Sequence, residues 1–364
     1  MHYGYSNGQL TSVENGGYIP GVAEKQTQSY SFAYDQYGNR TESRIGERLL
    51  ARYENDKNTV KSMQYGNSES VSYQYSYDAY NRLKTSNNGE ETETYYYNGA
   101  GDLSRLEVKV LKKTESYSYG DSEWKDLLTG YNGQAITYDA IGNPLTYYNG
   151  QSYSMSWAHG RQLQGVTTGG KEIGFSYDKD GLRLGKSIGE TSYAYLWAGG
   201  RLAEQKWGDN RIIFSYDESG APQSFYYRNA ANSGENYGWG TKYYYVLNAQ
   251  GDVVQLRDQN NAVVANYQYD AWGKLLYVYD NAGTEIIEAD HIALINPLRY
   301  RGYYYDSETG FYYLQSRYYD PVIRRFINAD GFVSTGQGLL GYNMFTYCGN
   351  NPVCLLYTSP SPRD

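Results

Sequence analysis

Cysteine is nearly absent from this 364-residue chain: only Cys348 and Cys354 occur, six apart near the C-terminal end. A disulfide-stapled fold is excluded, and the spacing matches no zinc ligand set. Histidine is limited to His2, His159 and His291, none beside a Ser, Cys or carboxylate in a pattern that suggests nucleophilic or metal chemistry. No cofactor or metal is expected. Proline, at 8 residues, is too rare for a Pro-rich linker, and the aromatics are too many for a disordered chain. No apolar run reaches membrane-spanning length, and the N-terminal residues lack the basic and apolar regions of a signal peptide, so an export signal is expected upstream. No long run of one charge sign occurs either. The 32 basic and 40 acidic residues are interspersed, with a pI of about 5.1, which argues against nucleic acid as a partner of the whole surface.

What the chain has instead is tyrosine, 47 residues against 8 Phe and 6 Trp, together with 41 Gly. Tyrosine suits half-buried sheet faces because an apolar ring carries a hydrogen-bonding tip, and glycine at this frequency suits many tight turns. The expected class is all-β. One phrase recurs: YDQYGNR from Tyr34, YDAYNRL from Tyr77, YNGAGDL from Tyr97, YDAIGNP from Tyr138, YDKDGLR from Tyr177 and YDESGAP from Tyr216. With Tyr53, Tyr119, Trp157, Trp197, Tyr245 and Tyr269 as anchors of weaker copies, most intervals are about 19 to 24 residues, the period of a stacked repeat.

Before each anchor, aromatic and small or polar residues alternate, which predicts strands. After it, an Asp can accept from the backbone N–H two residues on, and a Gly or Asn three residues on can take positive φ, closing a hairpin. Residues 25–290 are therefore expected to form successive antiparallel hairpins in one continuous curved sheet, turning at Asp78, Asp139, Asp178, Asp217 and Asp270. These Asp residues read as turn formers rather than catalysts, since no reaction needs a dozen copies of one acid.

The Tyr-Asp-x-x-Gly-Asn-Arg phrases resemble the YD-repeat or RHS family, which includes the C components of insecticidal toxin complexes and the teneurin shell. The resemblance covers about residues 3–353. It implies one long spiralling β-sheet that forms a hollow shell, with residues 1–290 as repeats. Residues 291–353, with RYRGYYYD from Arg299, GFYYLQSRYYDP from Gly310, RFINAD from Arg325 and NNPV from Asn350, resemble the family's RHS-associated core, which plugs the shell and joins it to a variable C-terminal toxin.

In toxin-complex relatives, acidic residues of this core cut the chain just beyond it. The resemblance makes Asp320, Asp330, Arg317 and Arg325 the candidate catalytic residues, two carboxyls able to share a proton if brought together. Turn and salt-bridge roles are the alternative. Two departures weigh against cutting: Asp330 precedes Gly331 where many relatives have Pro, and an Asp-Pro-x-Gly sequence after Val353 is missing. The family further implies a secreted or cell-surface bacterial protein whose partners are its own toxin, an immunity protein and secretion machinery. A rival reading is a cell-surface adhesion or glycan-binding module, with Trp272 and the Tyr-rich strands stacking on sugars. The segment DGLRLGKS from Asp180 resembles a phosphate-binding loop but has Asp where the first Gly belongs, so a turn is expected. Residues 354–364 break the Tyr/Gly pattern abruptly and back-translate to a sequencing adapter, so they read as a non-native tail.

Overall fold

The computed structural model describes residues 2–17, 26–65, 72–109, 111–331 and 343–354. Nearly every element is a β-strand, and within each sheet every strand pairs antiparallel with the next in sequence. The alternation seen in the sequence sets the faces. In Ser152–Ala158, Tyr153 and Met155 are buried while Ser152, Ser154 and Ser156 are exposed; in Ser72–Tyr77, Tyr73 and Tyr75 are buried on either side of exposed Gln74. A period of two leaves one face for the interior and one for solvent.

The turns close as expected. Asp178 Oδ1 accepts from the N–H of Asp180 at 2.8 Å and of Leu182 at 2.9 Å, and Gly181 takes φ +84°. The same pair of bonds to residues two and four on recurs at Asp78, Asp139 and Asp270, while Asp217 accepts from the N–H of Ala221 and the hydroxyl of Ser219. Asn248, Asp258 and Asp280 make it too, although the sequence analysis did not count them. Tyr245 is not the anchor it was expected to be: the turn begins at Asn248, and Leu247 occupies the tyrosine's place.

The structure also shows why each anchor is Tyr or Trp. The ladder register slips immediately before Tyr34, Tyr77, Tyr177, Tyr216 and Tyr269, and likewise before Trp157 and Trp197. Such a bulge re-aims the next side chain. The ring tip then donates to a carbonyl of the preceding hairpin: Tyr77 to Val60, Tyr97 to Leu83, Tyr177 to Leu163, Tyr216 to Leu202 and Tyr269 to Val253, at 2.6–3.0 Å. Trp157 Nε1 to Pro144 at 2.7 Å and Trp197 Nε1 to Arg183 at 2.6 Å do the same with an indole N–H. Phenylalanine cannot serve here because it has no donor.

One expectation is corrected. The hairpins do not form one continuous sheet but a 13-stranded sheet from His2–Ser6 to Gln134–Ala135 and a 14-stranded sheet from Thr137–Tyr138 to Leu275–Tyr279. The ladder breaks at Ile136, which is buried and whose N–H bonds back to Thr129 O at 3.0 Å, so the strands around it shorten to two residues. Accumulated strand twist brings the two sheets round to each other. Tyr30 OH donates to Tyr245 O, Tyr73 OH to Tyr269 O, and Ala249 N–H to Tyr53 OH, contacts between residues 215, 196 and 196 apart. A third, four-stranded sheet (Tyr304–Asp306, Phe311–Leu314, Arg317–Asp320, Arg325–Phe326) lies inside this wall and shares one contiguous hydrophobic core with both larger sheets. Phe311, Tyr312, Tyr319 and Phe326 are fully buried.

Candidate functional site

The inner segment is a run of aromatic strands carrying charges, and most of these charges are met by the wall. In the hairpin between Tyr304–Asp306 and Phe311–Leu314, Asp306 lies at 2.6 Å from Arg183 and 3.0 Å from Lys186, while Lys186 also reaches Glu308 at 2.8 Å. Arg183, Lys186 and Asp306 are each no more than 3% exposed at the side chain. The guanidinium of Arg183 sits 4.3–5.2 Å from the rings of Phe175, Tyr195, Tyr304 and Tyr313. Burial raises the Asp306 carboxyl, but Arg183 and Lys186 more than offset it and hold the group below the ordinary carboxylate range. Both cations come from the segment weighed as a phosphate loop. It is a turn followed by the strand Arg183–Ile188, and its basic residues serve Asp306.

The four candidates from the sequence do not form one cluster. Asp320 is fully buried and accepts from Tyr147 OH at 3.0 Å, Asn149 Nδ2 at 2.9 Å and the backbone N–H of Val322 at 2.7 Å. Burial pushes its carboxyl up, and these donors only partly offset that. Asp330 instead faces Arg317 at 3.1 Å, and the Arg317 guanidinium lies 3.6 Å from the Phe326 ring centre. Arg317 Nη1 and the Asp330 N–H both donate to Met344 O. Arg325 turns to the wall, donating to Tyr119 OH at 2.7 Å and Asp126 O at 2.6 Å and lying 3.7 Å from Asp102. The structure thus pairs Arg317 with Asp330, while Asp320 and Arg325, opposite each other on adjacent strands, send their side chains to different partners in the wall.

Paired carboxyls do occur, but in the wall. Asp126 is pushed up to about 6, by burial first and then by Asp102. Asp270 is pushed up to about 7, by burial first and then by Glu93. Arg324 stands over the second pair, 3.7 Å from Glu93, and bonds Glu115 at 2.8 Å and Tyr117 OH at 3.0 Å. The Glu115 carboxyl ends at about 2 despite its burial, with Arg324 the largest lowering influence. The sequence analysis gave no role to Arg324, Glu115, Asp102 or Asp126. The only available signal was an Arg-Arg pair too apolar in its neighbours to be a solvated face.

Trp272 is fully buried, 5.8 Å from Tyr95 between ring centres, so it is out of reach of a sugar. Among the described residues no group of His, Cys, Asp and Glu is placed to hold a metal, and no helix is long and apolar enough to cross a membrane. Of the tail, only Cys354 is described; residues 355–364 lie outside the described residues.

No family model matches the chain. It is 32% identical over 265 residues to the tRNA3(Ser)-specific nuclease WapA of Bacillus spizizenii, a match covering 71% of this chain and 10% of that protein. It is 26% identical over 287 residues to the double-stranded DNA deaminase toxin A of Burkholderia cenocepacia, covering 71% of this chain and 18% of that one. The chain thus spans a tenth to a fifth of these relatives. The TcdB2-TccC3-TEV crystal structure superposes with a TM-score of 0.70 at 19% identity, over 98% of this chain and 19% of that one. Strand order, wall and buried inner segment together give this chain the RHS-like fold of the toxin-complex proteins.

Proposed function

We propose that residues 1–290 are the repeat wall and residues 291–353 the plug of a bacterial RHS shell that houses and delivers a toxin attached after the plug. The observation that carries this reading is the seating of the inner segment: its hairpin is fixed to the wall by a fully buried Arg183–Asp306–Lys186 ion cluster. Buried charges on both partners are not needed to fill a core, and they specify one seat. The nuclease and deaminase named among the relatives support a nucleic-acid-directed enzyme as the toxin class. Secretion to the cell surface, an immunity protein in the producing cell and a non-native tail after Val353 belong to the same reading.

Release by self-cleavage beyond Val353 is its finer part, with Asp320 as a buried carboxyl held toward its neutral form and Arg317–Asp330 as a second acid paired to a cation. The test is the chain with its native continuation, purified and mass-analysed beside Asp320→Asn and Asp330→Asn. Cutting in the wild type that either variant abolishes, with circular dichroism unchanged, supports the assignment. Cutting that persists in both variants removes these residues from the chemistry, and an uncut wild type reduces the segment to a plug.

A further inference from the structure

The chain leaves the inner segment through residues 350–354, and four groups from separate parts of the fold meet it there. Asn350 Nδ2 donates to Gly101 O at 2.7 Å and Asn351 Nδ2 to Asn81 O at 2.8 Å, so two consecutive amides grip the turns of two successive hairpins of the first sheet. Arg301, in the inner segment, donates through Nη2 to Pro352 O. Gln250, in a turn of the second sheet, donates through Nε2 to Val353 O at 3.1 Å. Asp252 of that turn accepts from the Arg301 N–H at 3.0 Å and from Asn248 Nδ2 at 2.6 Å, which ties the two donors to each other. A void of about 10 Å³ is lined in part by Gln250, Asp252, Arg301, Pro352 and Val353. Gln250 Oε1 and Arg301 Nε are buried there without a hydrogen-bond partner.

We propose that Gln250, Asp252 and Arg301 form a clamp that fixes the register in which the chain leaves the inner segment. Residues 352–354 form a turn, closed by the residue-354 N–H on Asn351 Oδ1 at 3.2 Å, and from opposite sides of that turn Arg301 takes Pro352 O while Gln250 takes Val353 O. A slip of one residue turns both carbonyls away from their donors. These are positioning residues: they touch the backbone and leave the side chains that follow Val353 free to vary. The proposal rests on the plug reading only in its consequence, that any cut beyond Val353 falls at a single bond.

The experiment is amide hydrogen exchange on the full chain with its native continuation, comparing wild type, Gln250→Ala and Gln250→Glu. In Gln250→Ala the amides of Asn351 and Val353 should exchange about tenfold faster or more, with the sheets unchanged. Gln250→Glu should open the same residues at pH 8, where a carboxylate faces Val353 O, and close them again near pH 4, where the protonated acid donates; no purely steric role reproduces that reversal. Unchanged exchange at Asn351 and Val353 in Gln250→Ala overturns the clamp, as does an acceleration spread evenly over the chain. Intact mass on the same samples separates the two readings. A single product end in wild type and ragged ends in Gln250→Ala support the clamp, and an uncut wild type ends the release reading while exchange still decides the clamp.

Discussion

The wall and the inner segment use the same residues to opposite ends. In the wall, an Asp closes its own turn and a Tyr or Trp bonds the hairpin just before it, so each unit is satisfied by sequence neighbours. Charged pairs there, such as Lys179–Asp180, stand in solvent. In the inner segment, Asp306 bonds residues more than a hundred positions away, and Tyr147 reaches Asp320 across a separation of 173. The wall is stabilised as a sum of near-identical local terms, as stacked repeats are. The inner segment holds its place through a few long-range, desolvated contacts, each much larger than a wall contact. Damage to the wall should therefore be graded, and damage at the seat abrupt.

The sharpest test is Asp306→Asn. It leaves Arg183 and Lys186 buried with a single carboxylate, Glu308, in reach, and removing one member of a buried ion cluster costs about 3–5 kcal/mol. Lys179→Ala, whose pair is solvated, should change stability by less than about 0.5 kcal/mol. Urea melts of the two variants check this; similar midpoints would erase the distinction between seat and wall.

Next in size are the anchors. Tyr216→Phe and Trp197→Phe strip the donor from the Leu202 and Arg183 carbonyls and should each cost about 1–2 kcal/mol. Trp197→Tyr should cost less than Trp197→Phe, because what the site needs is a polar tip on a ring. Equal losses for Tyr and Phe at position 197 would show that the ring alone matters.

The comparison can also be read through pH dependence. Asp270 and Asp126 rise in the folded state, to about 7 and about 6, from a reference of 3.8. A raised carboxyl favours folding where it is protonated, so their contribution is lost as pH climbs from about 4 to 7. Glu115 and Asp306 are lowered and act in the other sense, withdrawing stability as pH falls below about 4. Thermal midpoints should peak near pH 5 and decline toward pH 8. Asp270→Asn keeps the side-chain oxygen that accepts from Trp272 and Lys274 and should flatten that decline; a variant with the wild-type slope would remove Asp270 as its source.

Much of the wall was legible because each signal acts over a few residues. Asp178 needs only Asp180 and Leu182 to make its turn, and Gly181 only has to take positive φ. The bulge before each anchor was not legible, since the slip leaves no mark on the alternation until the partner strand is known. The break at Ile136 was missed for a related reason: its buried side chain fits the alternation of either sheet. At the candidate site, position in the motif marked Asp320, Asp330, Arg317 and Arg325, but nothing in the motif says that Arg317 takes Asp330 while Arg325 takes the wall.

The sequence by itself determined the all-β class, the hairpin unit, its turn chemistry and the aromatic face turned inward, because these follow from bonds between residues at most about one repeat apart. Only the tertiary structure decided which wall strands meet the inner segment: Arg183 and Lys186 at Asp306, Tyr147 and Asn149 at Asp320, Glu115 at Arg324 and Gln250 at Val353. Those meetings depend on how far twist carries the sheets round. A small rotation at each strand, summed over 13 strands and then 14, sets the contact between residues 196 apart, and no local pattern records that sum.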